Sequence, residues 1–205
     1  MNEDPEGISP GETTGAGPRR RAAERSEVVN AKGDSPREKR RTQGPLVKWE
    51  TLLVRAGCKR PVIAHARAVT DLALRFAESS LVNRELVLAG AMLHDIGRGV
   101  THGIDHAQQG AAYARSLSLD ERIVSIIERH IGAGLTADEC SLERLIPRDC
   151  VPKTIEEKIV ANADNLISGT RPGTIEGTME GAFQLKRRIR KRIYLLYLEM
   201  ESFRG

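Results

Sequence analysis

From Leu46 onward the apolar residues of this chain recur at steps of three and four, and no convincing run alternates apolar with polar. A period near 3.6 lines one face of a helix, whereas a period of two lines one face of a strand, so the pattern points to an all-α fold. Leu46, Trp49, Leu52 and Leu53 open the series, with Gly57 as a stop. Pro61 suits the first turn of a second helix reaching about Ser79, which carries Ile63, Val69, Leu72 and Phe76 together with His65. Asn83 can cap a third helix ending near Gly97. Two more are expected over about Ile104–Leu117 and Asp120–Ile131, then a long loop over 132–152 with a helical turn around Ser141–Leu145. Thr154 and Glu157 make a capping-box pair that opens the helix holding Asp164. Gly169-Thr170-Arg171-Pro172-Gly173 breaks the chain before one final helix. Its seam runs through Ile175, Met179, Ala182, Ile189, Ile193, Leu196, Met200 and Phe203 and is interrupted at Lys186. The expectation is a bundle of about six to eight helices.

The first 45 residues stand outside this pattern. They hold five of the nine prolines, six glycines, no aromatic residue and no leucine. Such a segment cannot bury enough apolar surface to offset its ordering entropy, so residues 1–45 are expected to be a disordered tail. What remains is ample for one domain of ordinary size. The tail lacks the apolar run of a secretory signal, and no stretch is long and apolar enough to cross a membrane. Cys58, Cys140 and Cys150 are odd in number, widely spaced and form no CxxC, which argues against a disulfide framework or a thiolate zinc site. A cytoplasmic protein is the expectation. Net charge is only +4, but six of the seven residues Lys186-Arg187-Arg188-Ile189-Arg190-Lys191-Arg192 are basic, a local field near the C-terminus.

On this helical frame, His94 and Asp95 end an apolar run, and all five histidines fall between residues 65 and 130. Taken singly, each candidate has an ordinary reading. His65 suits a hydrogen-bonded core histidine, His106 a place near a helix N-terminus, His130 a reply to a C-terminal dipole, and Asp164 a local pair. Taken together they suit a metal centre: neutral imidazole binds borderline divalent ions, and a carboxylate can bridge two of them. Neighbours on a helix diverge by about 100°. His94 and Asp95 can therefore both face one cavity only at a helix end, which Gly97 is expected to supply.

The segments His65, Leu93-His94-Asp95-Ile96-Gly97-Arg98, His106-Ala107-Gln108-Gln109-Gly110-Ala111, Glu128-Arg129-His130 and Glu157–Asp164 resemble the successive motifs of the HD superfamily of metal-dependent phosphohydrolases. The similarity is to the HDIG-type branch, particularly small archaeal HD proteins of unassigned substrate, and covers roughly residues 46–170. It is shared with bacterial HD enzymes that cleave diadenosine tetraphosphate symmetrically. The resemblance implies His65, His94, Asp95 and Asp164 as ligands of a first divalent ion, with Asp95 bridging to a second completed by His106 and His130. Iron, manganese, cobalt or nickel would suit. It also implies a phosphate contact at Arg98, where Lys is more usual. His102 and Arg171 are added as phosphate candidates.

Two functional classes follow. One is hydrolysis of a nucleotide-like phosphoester or phosphoanhydride, in which Asp95 and Arg98 carry the catalysis and a metal-activated water attacks phosphorus. The other is an RNA- or nucleotide-binding module that uses the basic run and the tail. Aromatics at 3% of the chain argue against a stacking platform for single strands. The seam of the last helix suits packing within the domain and allows a homodimer.

Overall fold

The computed structural model describes residues 36–78 and 81–204, with side chains from Leu46 to Phe203 except at 79 and 80. Among the described residues nine α-helices run in the order α1 (Pro36–Arg55), α2 (Arg60–Phe76), α3 (Arg84–Leu93), α4 (His106–Ser116), α5 (Glu121–Arg129), α6 (Ala137–Leu142), α7 (Ile155–Asn165), α8 (Ile175–Gly181) and α9 (Arg187–Arg204). A 3-10 turn, Ile96–Gly99, follows α3. The all-α class expected from periodicity is the one observed. Among the described residues no helix is long and apolar enough to span a membrane.

At the centre lies α3. Every residue from Leu86 to Leu93 is buried, so this helix is apolar all round rather than amphipathic. Asn83 caps it by accepting from the Leu86 amide at 3.0 Å. Around it pack α2, which contributes Ala66, Val69, Ala73 and Phe76, α5 with Ile123, Val124, Ile126 and Ile127, and α7 with Ile159, Val160 and Ala163. On the far side of α7 lies α9, whose Ile193, Leu196 and Met200 are buried. The seam of the last helix is thus spent within the domain.

Four expectations need correction. α1 begins at Pro36, so ten residues assigned to the tail are helical; charged residues there are compatible with helix even without a core to bury. Residues 1–35 of the expected tail lie outside the described residues. The single final helix is two, α8 and α9, because the chain turns at Ala182–Lys186, where the Leu185 amide bonds the Ala182 carbonyl. The helical turn placed at Ser141–Leu145 is instead α6, opened by a second capping box in which Thr136 and Glu139 bond reciprocally. Finally, Ile167–Ser168 (β1) and Arg171–Pro172 (β2) form a small antiparallel hairpin, pairing Ile167 with Pro172 and Ser168 with Arg171. Gly169 turns it at φ +62°.

Two packing features hold the segments that carry the histidines. Gly97 does not end α3, which stops at Leu93; it lets the 3-10 turn lie against the backbone of α4. A Cβ at Gly97 would overlap the His106 carbonyl oxygen and come within 2.7 Å of the Gly110 amide nitrogen. Beyond His130, Glu139 is buried and binds Arg188 at 2.8 Å and Arg192 at 2.6 Å, while Arg192 also donates to the Gly134 carbonyl. These bonds fasten the 132–139 segment to α9. Burial works against the Glu139 charge, but the Thr136 amide and the two guanidinium groups outweigh it and hold the carboxyl below its usual range.

Gly97→Ala is expected to cost about 2–3 kcal/mol through overpacking against fixed backbone. Gly181→Ala, where a Cβ meets nothing within 4 Å, should leave the melting temperature nearly unchanged. Equal melting temperatures for the two variants would contradict the close approach. A depressed carboxyl pKa stabilises the fold above the unfolded value and loses that contribution as pH falls through the folded one. Glu139→Gln is therefore expected to lower stability by about 1–2 kcal/mol at pH 7. Its deficit relative to the parent chain should shrink as the pH drops below about 4. Melting curves at both pH values check the sign.

Candidate metal centre

Five elements send side chains to one point. His65 comes from the middle of α2, Asp164 from the last turn of α7, and His106 is the first residue of α4. His94 caps the C-terminus of α3, with Asp95 next along the chain, and His130 caps the C-terminus of α5. Helix ends leave carbonyls without amide partners, and two of the histidines use them. The ring Nδ1 of His94 lies 2.7 Å from the Ala91 carbonyl, and that of His130 lies 2.7 Å from Ile127. His106 Nδ1 meets the Gly103 carbonyl at 2.8 Å, and His65 Nδ1 meets that of Gly169, in the hairpin turn, at 2.7 Å.

A carbonyl oxygen only accepts, so each Nδ1 carries a proton, and the Nε2 of each neutral ring is left as a bare lone pair. All four Nε2 atoms point inward. His65 Nε2 lies 2.9 Å from Asp164 Oδ1, and His94 Nε2 lies 3.4 Å from the same oxygen and 3.8 Å from Asp95 Oδ2. On the other side, Asp95 Oδ1 lies 3.1 Å from His106 Nε2 and 3.7 Å from His130 Nε2. Asp95 therefore turns one oxygen to His94 and the other to the His106–His130 pair.

Two contacts mark where a cation would fit among these groups. The Nε2 atoms of His106 and His130 face each other at 3.1 Å, and two lone pairs at that distance repel unless a positive centre lies between them. His94 is fully buried, and its Nε2 has no hydrogen-bond partner although two carboxylates stand near it. Its distances to them fit a ligand atom better than a hydrogen bond. Three overlapping groups, His65–His94–Asp95, His94–His130–Asp164 and Asp95–His106–His130, each bring their ligand atoms within 4.8 Å. Imidazole and carboxylate together suit a first-row divalent ion.

The electrostatics agree. Burial opposes ionisation of Asp95, yet His94, His106 and His130 outweigh it and hold the carboxyl far below its usual range. Burial likewise opposes ionisation of Asp164, which His94 and His65 keep far below its usual range. Burial alone would lower His94, but Asp164 and Asp95 push it up to about 9. Burial also lowers His65, but its bond to Asp164 leaves it above the ordinary value. For His130 burial prevails and holds it down, reinforced by the neighbouring imidazoles. Two ionised carboxylates in a buried cluster call for positive charge, which the imidazoles supply only by taking up protons.

All six residues of the expected ligand set converge. The phosphate candidates do so unevenly. Arg98, in the 3-10 turn, donates from Nε to Asp95 Oδ1 at 3.2 Å and from Nη1 to the His102 carbonyl at 2.8 Å. It is held at the edge of the cluster by both bonds. His102 is exposed, and its carbonyl rather than its imidazole makes that contact. Arg171 is exposed on β2, in the hairpin whose Gly169 carbonyl holds His65. Sequence reasoning missed Cys58, whose thiol lies 3.4 Å from the Ile96 carbonyl behind Asp95 and is pushed up to about 11 by burial. It missed Asn165 as well, which donates to the Gly132 carbonyl at 2.7 Å and ties α7 to the segment after His130. Neither carried a spacing signal. Thr136 and Glu139 did, as the same T-x-x-E pattern that marks α7.

Comparison with known proteins agrees with this geometry. The HD domain family matches residues 62–169. Over 110 residues, 54% of this chain, the sequence is 51% identical to a tRNA (cytidine(56)-2'-O)-methyltransferase of Picrophilus torridus, of which it spans about a third (32%). Over 119 residues it is 48% identical to an uncharacterised protein of Methanocaldococcus jannaschii, covering 56% of this chain and 70% of that one. Over 114 residues it is 33% identical to a ribonuclease Y of Acidothermus cellulolyticus, covering 55% of this chain and 20% of that one. With its matched segment running from α2 through the hairpin turn and holding all six converging residues, the chain belongs to the HD domain family.

Proposed function

We propose that this protein is a divalent-metal-dependent phosphohydrolase acting on a nucleotide-like phosphoester or phosphoanhydride. His65, His94, Asp95 and Asp164 hold one ion. Asp95, His106 and His130 hold a second, which iron, manganese, cobalt or nickel can provide. The observation that carries the reading is the partnerless Nε2 of buried His94, set beside the convergent Nε2 atoms of His106 and His130. A divalent pair held by these residues would supply Lewis-acid stabilisation of a phosphoryl group and a water of lowered pKa.

The chain's own residues supply the rest. Asp95 sets the spacing between the two halves of the site through its two oxygens. Arg98, fixed by Asp95 and the His102 carbonyl, offers a guanidinium for the non-bridging oxygens of a phosphate, where it offsets charge as the transition state forms. Exposed Arg171 and His102 are the further candidates for phosphate contact. His65 and Asp164 have side chains 18% and 22% exposed, whereas those of His94 and His130 are buried.

The names of two relatives, a ribonuclease and a tRNA methyltransferase, support a nucleic acid or a fragment of one as the substrate. A binding module without turnover draws less support from the basic run. Arg188 and Arg192 are engaged by Glu139, and Arg190 lies over the Phe183 ring at 5.4 Å. Three free and buried cysteines accord with a reducing, cytoplasmic setting.

Incubation with manganese against mononucleotides, cyclic nucleotides, diadenosine tetraphosphate and RNA ending in a 2′,3′-cyclic phosphate tests the reaction. Cleavage by the parent chain is expected, with turnover and bound metal both lost in Asp95→Ala. Arg98→Ala should keep the metal and lose roughly 100-fold in kcat/KM. Undiminished turnover in Asp95→Ala would overturn the assignment. RNA affinity without turnover that survives Asp95→Ala would favour the binding module.

A further inference from the structure

We infer that the outer face of α9 pairs antiparallel with the same helix of a second copy of this chain. α9 carries two seams. The inner one, Ile189, Ile193, Leu196, Met200 and Phe203, packs on the domain. The outer one, Arg187, Lys191, Tyr194, Leu198 and Glu201, repeats the same steps of four and three residues on the opposite side. At its middle, Tyr194 is 43% exposed, Leu198 42% and the flanking Leu195 51%. Phe183 and Leu185, just before the start of the helix, are 69% and 44% exposed. A single exposed leucine needs no explanation, but a heptad-spaced row with aromatic and aliphatic neighbours does.

Charge selects the occupant. The seam is basic at its N-terminal end and acidic at its C-terminal end, so a parallel pair would set like charges together. An antiparallel pair alternates a and d positions across the contact. It brings Tyr194 of each copy against Leu198 of the other and Lys191 opposite Glu201. A two-fold axis makes each of these contacts twice. The residues preceding Pro36 are poorly suited to cover the same face, since their large apolar side chains are only Met1, Ile8, Val28 and Val29. Nucleic acid would use Arg187 and Lys191 but would leave Tyr194, Leu195 and Leu198 in water. With 18 residues the helix is about 27 Å long, which places the contact among weak, concentration-dependent interfaces.

The full chain should show a dimer mass by light scattering at the upper end of a range of roughly 1–100 µM. Leu198→Glu should make it monomeric, with circular dichroism confirming that α9 stays folded. Lys191→Glu should weaken the dimer about tenfold by setting two pairs of like charges together. The double variant Lys191→Glu/Glu201→Lys should restore it to within about threefold of the parent chain. A parent chain that stays monomeric throughout overturns the inference, as does a dimer indifferent to Leu198→Glu. Failure of the double variant to recover overturns the antiparallel register. A monomer that instead binds RNA through Lys191 gives the face to nucleic acid.

Discussion

Everything in this site depends on four hydrogen bonds from imidazole Nδ1 atoms to backbone carbonyls. Each fixes a tautomer and a ring orientation, and together they turn four lone pairs toward Asp95 and Asp164. A hydrogen bond of this kind raises the basicity of the opposite nitrogen and removes its freedom to swing away. The cluster is therefore organised before anything binds to it. The cost of that organisation shows as partnerless or repelling nitrogen atoms in a buried place, which a divalent cation would satisfy.

The helices serve this arrangement through their ends more than their faces. α3 is buried from Leu86 to Leu93, so its C-terminus lies deep in the domain, where a lone polar group would ordinarily be disfavoured. The carbonyl of Ala91, left without an amide by the end of the helix, meets His94, and that of Ile127 does the same for His130 at the end of α5. Gly97 allows the turn after Asp95 to press against α4, which sets the distance between the two halves of the site. Glu139 and its two arginines hold the segment beyond His130 from the other side. A change at Gly97 or Glu139 would thus reach the site through geometry rather than through chemistry.

Most of the helices, and all six converging residues, were legible in the sequence. Periodicity identifies a helix by the face it buries, so α2 was visible from Ile63, Val69, Leu72 and Phe76. The capping box at Thr154 and the N-cap at Asn83 worked because they are local chemistry. What escaped was non-local or sterically silent. Nothing in the spacing of Gly169 indicates that its carbonyl holds a histidine 104 residues earlier. Gly97 read as a helix stop because a glycine gives the same signal whether it ends a helix or admits a neighbouring backbone. The break between α8 and α9 was hidden by a seam that continues in register on both sides of Lys186. The basic run looked like free charge because Glu139, the partner of two of its arginines, lies about fifty residues away in sequence.

Histidine-selective nitrogen-15 NMR during titration with zinc(II), a diamagnetic stand-in, addresses the tautomers directly. The account predicts that His65, His94, His106 and His130 are all Nδ1-protonated when neutral. Their Nε2 resonances should shift on metal binding up to two ions per chain, while His102 stays as it was. Metal binding through Nδ1 of any of the four, or zinc that leaves their resonances in place, would contradict it.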